Sequence, residues 1–182
     1  VTLDCNKPQN ILMHIAAHIF FDCQVNQSSK PCGLYLSPFP ICWYMLKGGK
    51  IDMNTSSGCK NLRQEKVFSY KSAASSTKSS PSMNVPIACS LCPRNSPAVW
   101  KYNMLYHFCY KHEQVSLDQY KVLWELQPGE DQLMAKVWET YNVIPKTCPL
   151  KKKKDHLQLV ISDVHSSKMA FWCVLCTDAC DL

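Results

Sequence analysis

The spacing of cysteine and histidine constrains this 182-residue chain more than any other feature of its sequence. Two residues separate Cys89 from Cys92, fourteen separate Cys92 from His107, and four separate His107 from His112. A two-residue gap lets both thiolates of one turn face the same ion, and histidines about one helical turn apart project from one face. Four such ligands leave no coordination position open. The spacing therefore predicts a structural zinc site of the C2H2 type rather than a catalytic one.

The residues around this motif are typical of a zinc finger. An apolar stretch, residues 85–88, precedes the cysteine pair and predicts a strand. Ser96 followed by Pro97 favours a helix start, since serine caps the helix and proline lacks only an N–H that would be unpaired there. We expect this helix to continue to about His112 and to bury Trp100 in a small apolar core. Zinc would supply folding energy that so small a core lacks.

The same segment suggests where nucleic acid could be contacted. Counting back from the first histidine, the base-facing positions of a standard finger fall on Trp100, Asn103 and Tyr106. We expect Trp100 to be buried, which leaves Asn103 as a possible reader of adenine. The basic side chains between Cys89 and His112 that could contact phosphate are Arg94, Lys101 and Lys111, of which Arg94 and Lys101 are the predicted contacts. One finger covers only about three base pairs, so DNA binding and protein binding both stay open.

A second group of potential ligands precedes this finger. His14 and His18 are four residues apart on a predicted helix over residues 8–22, so both imidazoles lie on one face. They could complete a closed site with two of the three cysteines at 32, 42 and 59. The spacing alone does not decide which two of these cysteines would join the histidines. The alternative is that the two histidines merely flank an apolar stripe.

Several segments together carry a family resemblance. They are Cys89–Pro93, Ser96–Asn103, His107 with His112, His14 with His18, Pro31–Leu34 and Ile161–Ser167. The chain resembles uncharacterised zinc-finger-like proteins that are abundant in mushroom-forming (basidiomycete) fungi. The resemblance implies C2H2-type metal binding and a nuclear setting. Carried over to this sequence, it implies Cys89, Cys92, His107 and His112 as the ligands of the finger, and His14, His18, Cys32 and Cys59 as the predicted ligands of the first site. In that family a second cysteine usually follows Pro-Cys-Gly-Leu, whereas this chain has Tyr35, which departs from the pattern of the first site.

Composition and periodicity predict an α+β protein made of small zinc-stabilised units with a C-terminal helical hairpin. The sequence of residues 31–68 predicts short, irregular elements, with one strand over Ile41–Leu46. The serine-rich residues 69–84 are typical of a linker. Ser116 and Gly129 precede two predicted helices, 117–126 and one ending near Tyr141. The predicted divisions are 1–68 (a Cys/His-rich unit with an N-terminal helix), 69–84 (linker), 85–115 (finger), 116–145 (helical hairpin) and 146–182 (basic segment and Cys-rich tail).

The charge pattern and the apolar segments of the sequence indicate where in the cell the protein acts. The net charge is +6, and a basic run of Lys146 and Lys151–Lys154 is typical of a nuclear-localisation signal, a phosphate-binding patch or a solvated linker. No signal peptide is visible at the first residue, and no apolar run reaches the roughly 20 residues of a membrane span. The last three cysteines, Cys173, Cys176 and Cys180, offer a weaker third cluster.

No enzyme motif is present in the sequence. A glycine-rich phosphate loop, a Gly-x-Ser-x-Gly turn and paired carboxylates are absent, and Ile15 stands where a metalloprotease helix would carry its glutamate. We therefore predict a non-enzymatic, structural zinc-binding protein that acts in the nucleus on DNA or a protein partner, without a membrane or a small-molecule substrate. Two alternatives are a secreted disulfide-stapled protein and a protein-interaction scaffold that does not bind DNA.

Overall fold

The computed structural model describes residues 8–57, 59 and 73–142, which form a mixed fold of helices and small antiparallel sheets. This arrangement is compatible with the predicted α+β class. The α-helices are α1 (Pro8–Phe21), α2 (Met104–Lys111) and α3 (Glu130–Asn142). The strands are β1 (Trp43–Lys47), β2 (Lys50–Ser57), β3 (Pro86–Ile87) and β4 (Val99–Trp100). Short 3-10 helices cover Gln27–Ser29, Lys101–Asn103 and Leu117–Leu123. Within these residues no helix combines the length and apolarity needed to cross a bilayer.

Strands β1 and β2 form a hairpin where the sequence predicted mostly irregular structure. Lys47 pairs with Lys50, and Gly48 and Gly49 form the two-residue turn with φ of +59° and +74°. Two consecutive positive φ angles favour glycine, because in any other L-residue the Cβ atom would crowd the backbone in this conformation. The Gly-Gly pair was therefore a hairpin signal. The strand predicted over Ile41–Leu46 overlaps β1, and β2 was missed.

The main core forms where α1 meets α3. The isoleucine stripe of α1 is buried, as its four-residue spacing predicted, and Met134 of α3 is fully buried beside it. Trp138 of α3 adds an edge-on ring contact with His18 at 5.2 Å between centroids. The N-terminal helix and the last described helix therefore share one apolar core.

The predicted C-terminal helical hairpin is wrong in the residues that the structure describes. Its first helix is instead the 3-10 helix Leu117–Leu123, which packs against α2 rather than against α3. Aromatic contacts explain why this segment packs on α2. The centroid of the Phe108 ring of α2 lies 5.0 Å from that of the Tyr120 ring and 5.3 Å from that of the Trp124 ring. The second predicted helix corresponds to α3, which pairs with α1.

The end of the predicted serine-rich linker is part of the core. Ser82, Met83 and Asn84 are buried, and the Met83 amide donates to Glu130 Oε1 at 3.3 Å. Glu130 is itself fully buried and also accepts from the Tyr102 hydroxyl and from the Gln127 amide. A buried carboxylate needs such donors to offset its lost hydration. Of the predicted linker, residues 69–72 lie outside the described residues.

The finger segment is joined to the rest of the fold rather than separate from it. Residues 98–100 are extended instead of helical, since the Ala98 amide donates to the Tyr44 carbonyl at 2.7 Å and β4 pairs with β3. The helix predicted from Ser96 accordingly begins only at Met104. Trp100 is buried, as predicted, and its ring lies 5.2 Å from that of Tyr44, at nearly a right angle.

Gly33 permits this junction. A Cβ added there would lie 2.4 Å from Trp100 Cε3 and 2.8 Å from Asn84 Nδ2. We expect Gly33→Ala to lower the free energy of unfolding by about 1–3 kcal/mol through overpacking, measured by urea denaturation. Trp100→Leu removes the ring atoms that make the two shortest contacts of this Cβ and leaves only the one with Asn84, so in that background Gly33→Ala should cost less. Equal costs in both backgrounds would contradict this packing, and the exposed Ser90→Ala serves as the neutral control.

Candidate metal centre

The four predicted ligands of the finger converge on one point. The side-chain ligand atoms of Cys89, Cys92, His107 and His112 all lie within 4.8 Å of one another. Cys92 Sγ is 3.4 Å from the Nε2 atoms of both histidines, and Cys89 Sγ is 3.4 Å from His112 Nε2. Sulfur and nitrogen on one tetrahedral zinc would be about 3.5 Å apart, given the usual bond lengths. The group therefore has the separations of a closed four-ligand metal site.

Local structure explains how these side chains meet. The Cys92 amide donates to the Cys89 carbonyl at 3.3 Å, which closes a tight turn and brings both thiols to one side. His107 lies on the buried side of α2, and His112 caps the end of that helix. Phe108 and Met104, both fully buried, hold α2 against the turn in a small apolar cluster.

Burial and nearby cations set the charge of the ligands. Burial first, and then electrostatic interaction with Lys30 and with the neighbouring His112 and Lys111, lowers the pKa of His107 to about 4. The imidazole is therefore neutral at pH 7, which is the form that binds metal. Burial and the neighbouring Cys89 raise the pKa of Cys92, an effect that Lys30 and Lys111 oppose.

Two buried polar atoms beside this site have no hydrogen-bond partner among the described residues. They are Nδ1 of His107 and Oδ1 of Asn103, which are four residues apart at the start of α2. The Asn103 amide nitrogen is already used, since it donates to the Pro31 carbonyl at 2.7 Å. Metal-binding histidines usually donate their second ring N–H to an acceptor of this kind.

A second group of thiols lies in the main core. The sulfur atoms of Cys32, Cys42 and Cys59 all lie within 4.8 Å of one another, and all three residues are buried. Tyr44 Oη is 2.8 Å from Cys32 Sγ. Burial first, and then the neighbouring Cys42 and Cys59, raise the pKa of Cys32 well above its ordinary value. Burial and the thiols of Cys32 and Cys59 likewise raise the pKa of Tyr44.

The structure does not bring His14 and His18 to these thiols. His18 Nδ1 is 3.0 Å from Asp22 Oδ2, and the His14 ring stacks edge-on against the His18 ring at 4.8 Å. Both rings lie on α1, His18 against Trp138 of α3, and neither belongs to the thiol group. The predicted ligand set His14, His18, Cys32 and Cys59 is therefore replaced by a group of three cysteines. Cys42 is one of the three candidate cysteines of the first site, but no feature of the sequence distinguishes it from the other two. No feature of the sequence indicates Tyr44.

The residues predicted to contact nucleic acid occupy three different environments. Asn103 is only 1% exposed, so its side chain is not placed to reach a base edge. Lys101 is half-buried, and burial lowers its pKa although Glu130 and Glu125 oppose the shift. Arg94 is exposed, and Tyr106 is 40% exposed on the outer face of α2. Only Arg94 and Tyr106 are freely presented to a ligand.

None of the seven cysteines in the described residues forms a disulfide. The basic run Lys151–Lys154 and the tail cysteines lie outside those residues. No family model matches the chain, and no curated protein or solved structure is found to be similar to it. Function is therefore inferred from the residues of the site itself.

Proposed function

We propose that the protein is a C2H2-type zinc-binding interaction module, with a structural zinc ion held by Cys89, Cys92, His107 and His112. The observation that carries this proposal is the convergence of two thiols and two imidazoles at separations of 3.4 Å. Two thiolates and two neutral imidazoles balance the charge of Zn²⁺ and fill its four positions. Such a shell leaves no position for a substrate, which favours a structural role over a catalytic one.

The small size of the cluster around the ligands supports a structural role for the ion. Its buried apolar members are Cys89, Val99, Met104 and Phe108. Other side chains that pack on this cluster are only partly buried, so burial around the ligands themselves contributes little to holding the turn against α2. A metal ion that binds only the folded arrangement adds its binding free energy to the stability of the fold.

The outer face of α2 is the surface that the zinc would hold in place. Its solvent-facing side chains are Leu105 and Tyr106, with Cys109 and Tyr110 one turn further on. Tyr110 is 61% exposed. Apolar and aromatic side chains of this kind are enriched at protein interfaces, whereas a helix that reads DNA presents polar side chains to base edges. We therefore favour a protein partner for this face, in a nuclear setting as the family resemblance implies.

Nucleic-acid binding is the second candidate. The net charge of +6 and the exposed Arg94 and Lys111 favour contacts with phosphate. Because Asn103 is buried, such contacts would lack a base reader at that position. This candidate therefore implies binding that depends on salt and not on sequence.

Removal of a zinc ligand tests the metal directly. We expect Cys92→Ser to contain one zinc ion fewer per chain than the wild type, measured by mass spectrometry of metals on reduced protein. Its near-ultraviolet circular dichroism should resemble that of chelator-treated wild type, since Trp100 and Phe108 lose a fixed environment. The exposed Cys109→Ser is the matched control and should keep both properties. Equal zinc content in Cys92→Ser and Cys109→Ser would contradict the proposal.

Asn103 should position His107 in the metal-bound protein by accepting its Nδ1 proton through a bridging water, since the two atoms make no direct hydrogen bond. We expect Asn103→Ala to weaken zinc binding about 10–100-fold, measured by competition with a chromogenic chelator. Asn103→Asp keeps an acceptor but loses the donor to Pro31, so it should retain zinc affinity while its unfolding midpoint falls. A wild-type affinity in Asn103→Ala would show that Asn103 serves packing alone.

The choice between partners can be tested on the surface of α2. A photo-crosslinking residue at Tyr110 should yield a discrete protein adduct in nuclear extract, and the added Tyr106→Ser change should remove it. The same residue at Val122, which is 74% exposed, is the control position. Binding to random duplex DNA is measured in parallel by fluorescence anisotropy. Sequence-independent DNA binding that falls steeply with salt and is lost in Arg94→Glu, without any Tyr110 adduct, would favour the nucleic-acid candidate instead.

A further inference from the structure

We propose that Cys32, Cys42 and Cys59 form a second metal site, which holds one thiophilic d¹⁰ ion through three thiolates. This site shares no residue with the ligands Cys89, Cys92, His107 and His112, so it stands independently of the proposed finger. Thiolate ligands select soft or borderline ions, of which Zn²⁺ and Cu⁺ are the common cellular examples.

The first support is geometric. Cys32 Sγ and Cys59 Sγ are 4.0 Å apart, and the three residues are 1–4% exposed. Two thiolates on one zinc ion would be about 3.8 Å apart, so the ion fits with little movement. Among the described residues no fourth Cys, His, Asp or Glu joins the group.

The second support is the set of donors around Cys32. The Leu34 amide donates to Cys32 Sγ at 3.4 Å, and the Tyr44 hydroxyl lies 2.8 Å from the same sulfur. Two ligands of one ion, oxygen and sulfur, would be about 3.5 Å apart. The shorter distance therefore fits a hydrogen bond from Tyr44 to the sulfur, with Tyr44 outside the metal shell. Donors of this kind stabilise a thiolate and reduce its negative charge.

The third support is access and charge. A cavity of about 280 Å³ is lined by Cys42 and Tyr44 on one side and by Cys92 and His107 on the other. The cavity reaches the proposed site at Cys42, which gives an ion a route to that otherwise buried thiol. Three thiolates and a divalent ion carry one net negative charge, and Lys30, which lines the same cavity, offers an opposing positive charge.

The competing interpretations use the thiols differently. A disulfide would pair two of the three and leave one cysteine unexplained. Ordinary core packing is common for a free cysteine, but it does not require the two other thiols and a hydroxyl to be directed at Cys32. A shared ion accounts for all four groups at once.

The test measures bound metal in the full chain. Reduced, metal-free protein is loaded under nitrogen with Zn²⁺ or Cu⁺, desalted, and analysed for metal per chain in the wild type, Cys42→Ser, Cys92→Ser and the double variant. We expect Cys42→Ser and Cys92→Ser each to bind one ion fewer than the wild type, and the double variant to bind two fewer. The preferred ion is the one, Zn²⁺ or Cu⁺, that stays bound to the protein after desalting. The exposed Cys23→Ser is the control and should lose none.

The outcomes separate the two sites. If Cys42→Ser binds as much of either ion as Cys23→Ser does, while Cys92→Ser loses one zinc, the second site is overturned and the finger stands. If Cys92→Ser loses nothing and Cys42→Ser loses one ion, the finger fails and the second site stands.

A residue-resolved measurement avoids the case in which Cys42→Ser does not fold. Chelator is titrated into metal-loaded wild type, and thiol alkylation is followed peptide by peptide. Cys32, Cys42 and Cys59 should become reactive together, at a chelator concentration different from that which exposes Cys89 and Cys92. Alkylation of the three that does not respond to metal occupancy, while Cys89 and Cys92 do respond, would overturn the second site.

Discussion

The burial of Trp100 against Gly33 and Tyr44 is the contact on which the rest of the structure depends. Its ring closes over the backbone at Gly33, one residue after Cys32, and meets the Tyr44 ring at 5.2 Å. The strand that carries Trp100 leads within a few residues into α2 and its first histidine. The same contact therefore aligns the thiol group, the hairpin and the four finger ligands.

Residues that follow Trp100 extend this connection. The Tyr102 hydroxyl contacts the buried Glu130 at the start of α3, and Asn103 holds the Pro31 carbonyl at 2.7 Å. A separable finger would bury its tryptophan within its own unit, whereas here the finger and the N-terminal residues share one core. Loss of the finger metal should for this reason disturb packing well outside residues 85–115. This coupling also explains why Asn103, a base-reading position in a separable finger, is committed to internal contacts.

Much of the candidate site could be predicted from the sequence, because ligand spacing is a local property. Cys89, Cys92, His107 and His112 meet through one turn and one helix, whose geometry depends on near neighbours. α1 and its isoleucine stripe were likewise predictable from periodicity. The Gly48–Gly49 pair indicates a hairpin turn between β1 and β2, but the composition of the surrounding residues predicts irregular structure.

The remaining features depend on contacts distant in sequence. The β1–β2 hairpin lies between Cys42 and Cys59 in the chain and brings them together, and no spacing rule identifies such a group. Met83 and Asn84 follow a serine-rich stretch, and their burial depends on Tyr102 and Glu130. The 3-10 helix Leu117–Leu123 turns toward α2 because Phe108 offers its ring to Tyr120 and Trp124. Helix periodicity cannot choose between α2 and α3 as the partner.

The central claim is that one metal ion joins the turn at Cys89 and Cys92 to α2. Anomalous diffraction from crystals of the reduced protein, collected at the zinc absorption edge, tests it most directly. We expect an anomalous-difference peak about 2.3 Å from the sulfur atoms of Cys89 and Cys92 and about 2.0 Å from Nε2 of His107 and His112. A well-ordered site with no anomalous peak, or with Cys89 and Cys92 joined as a disulfide, would contradict it.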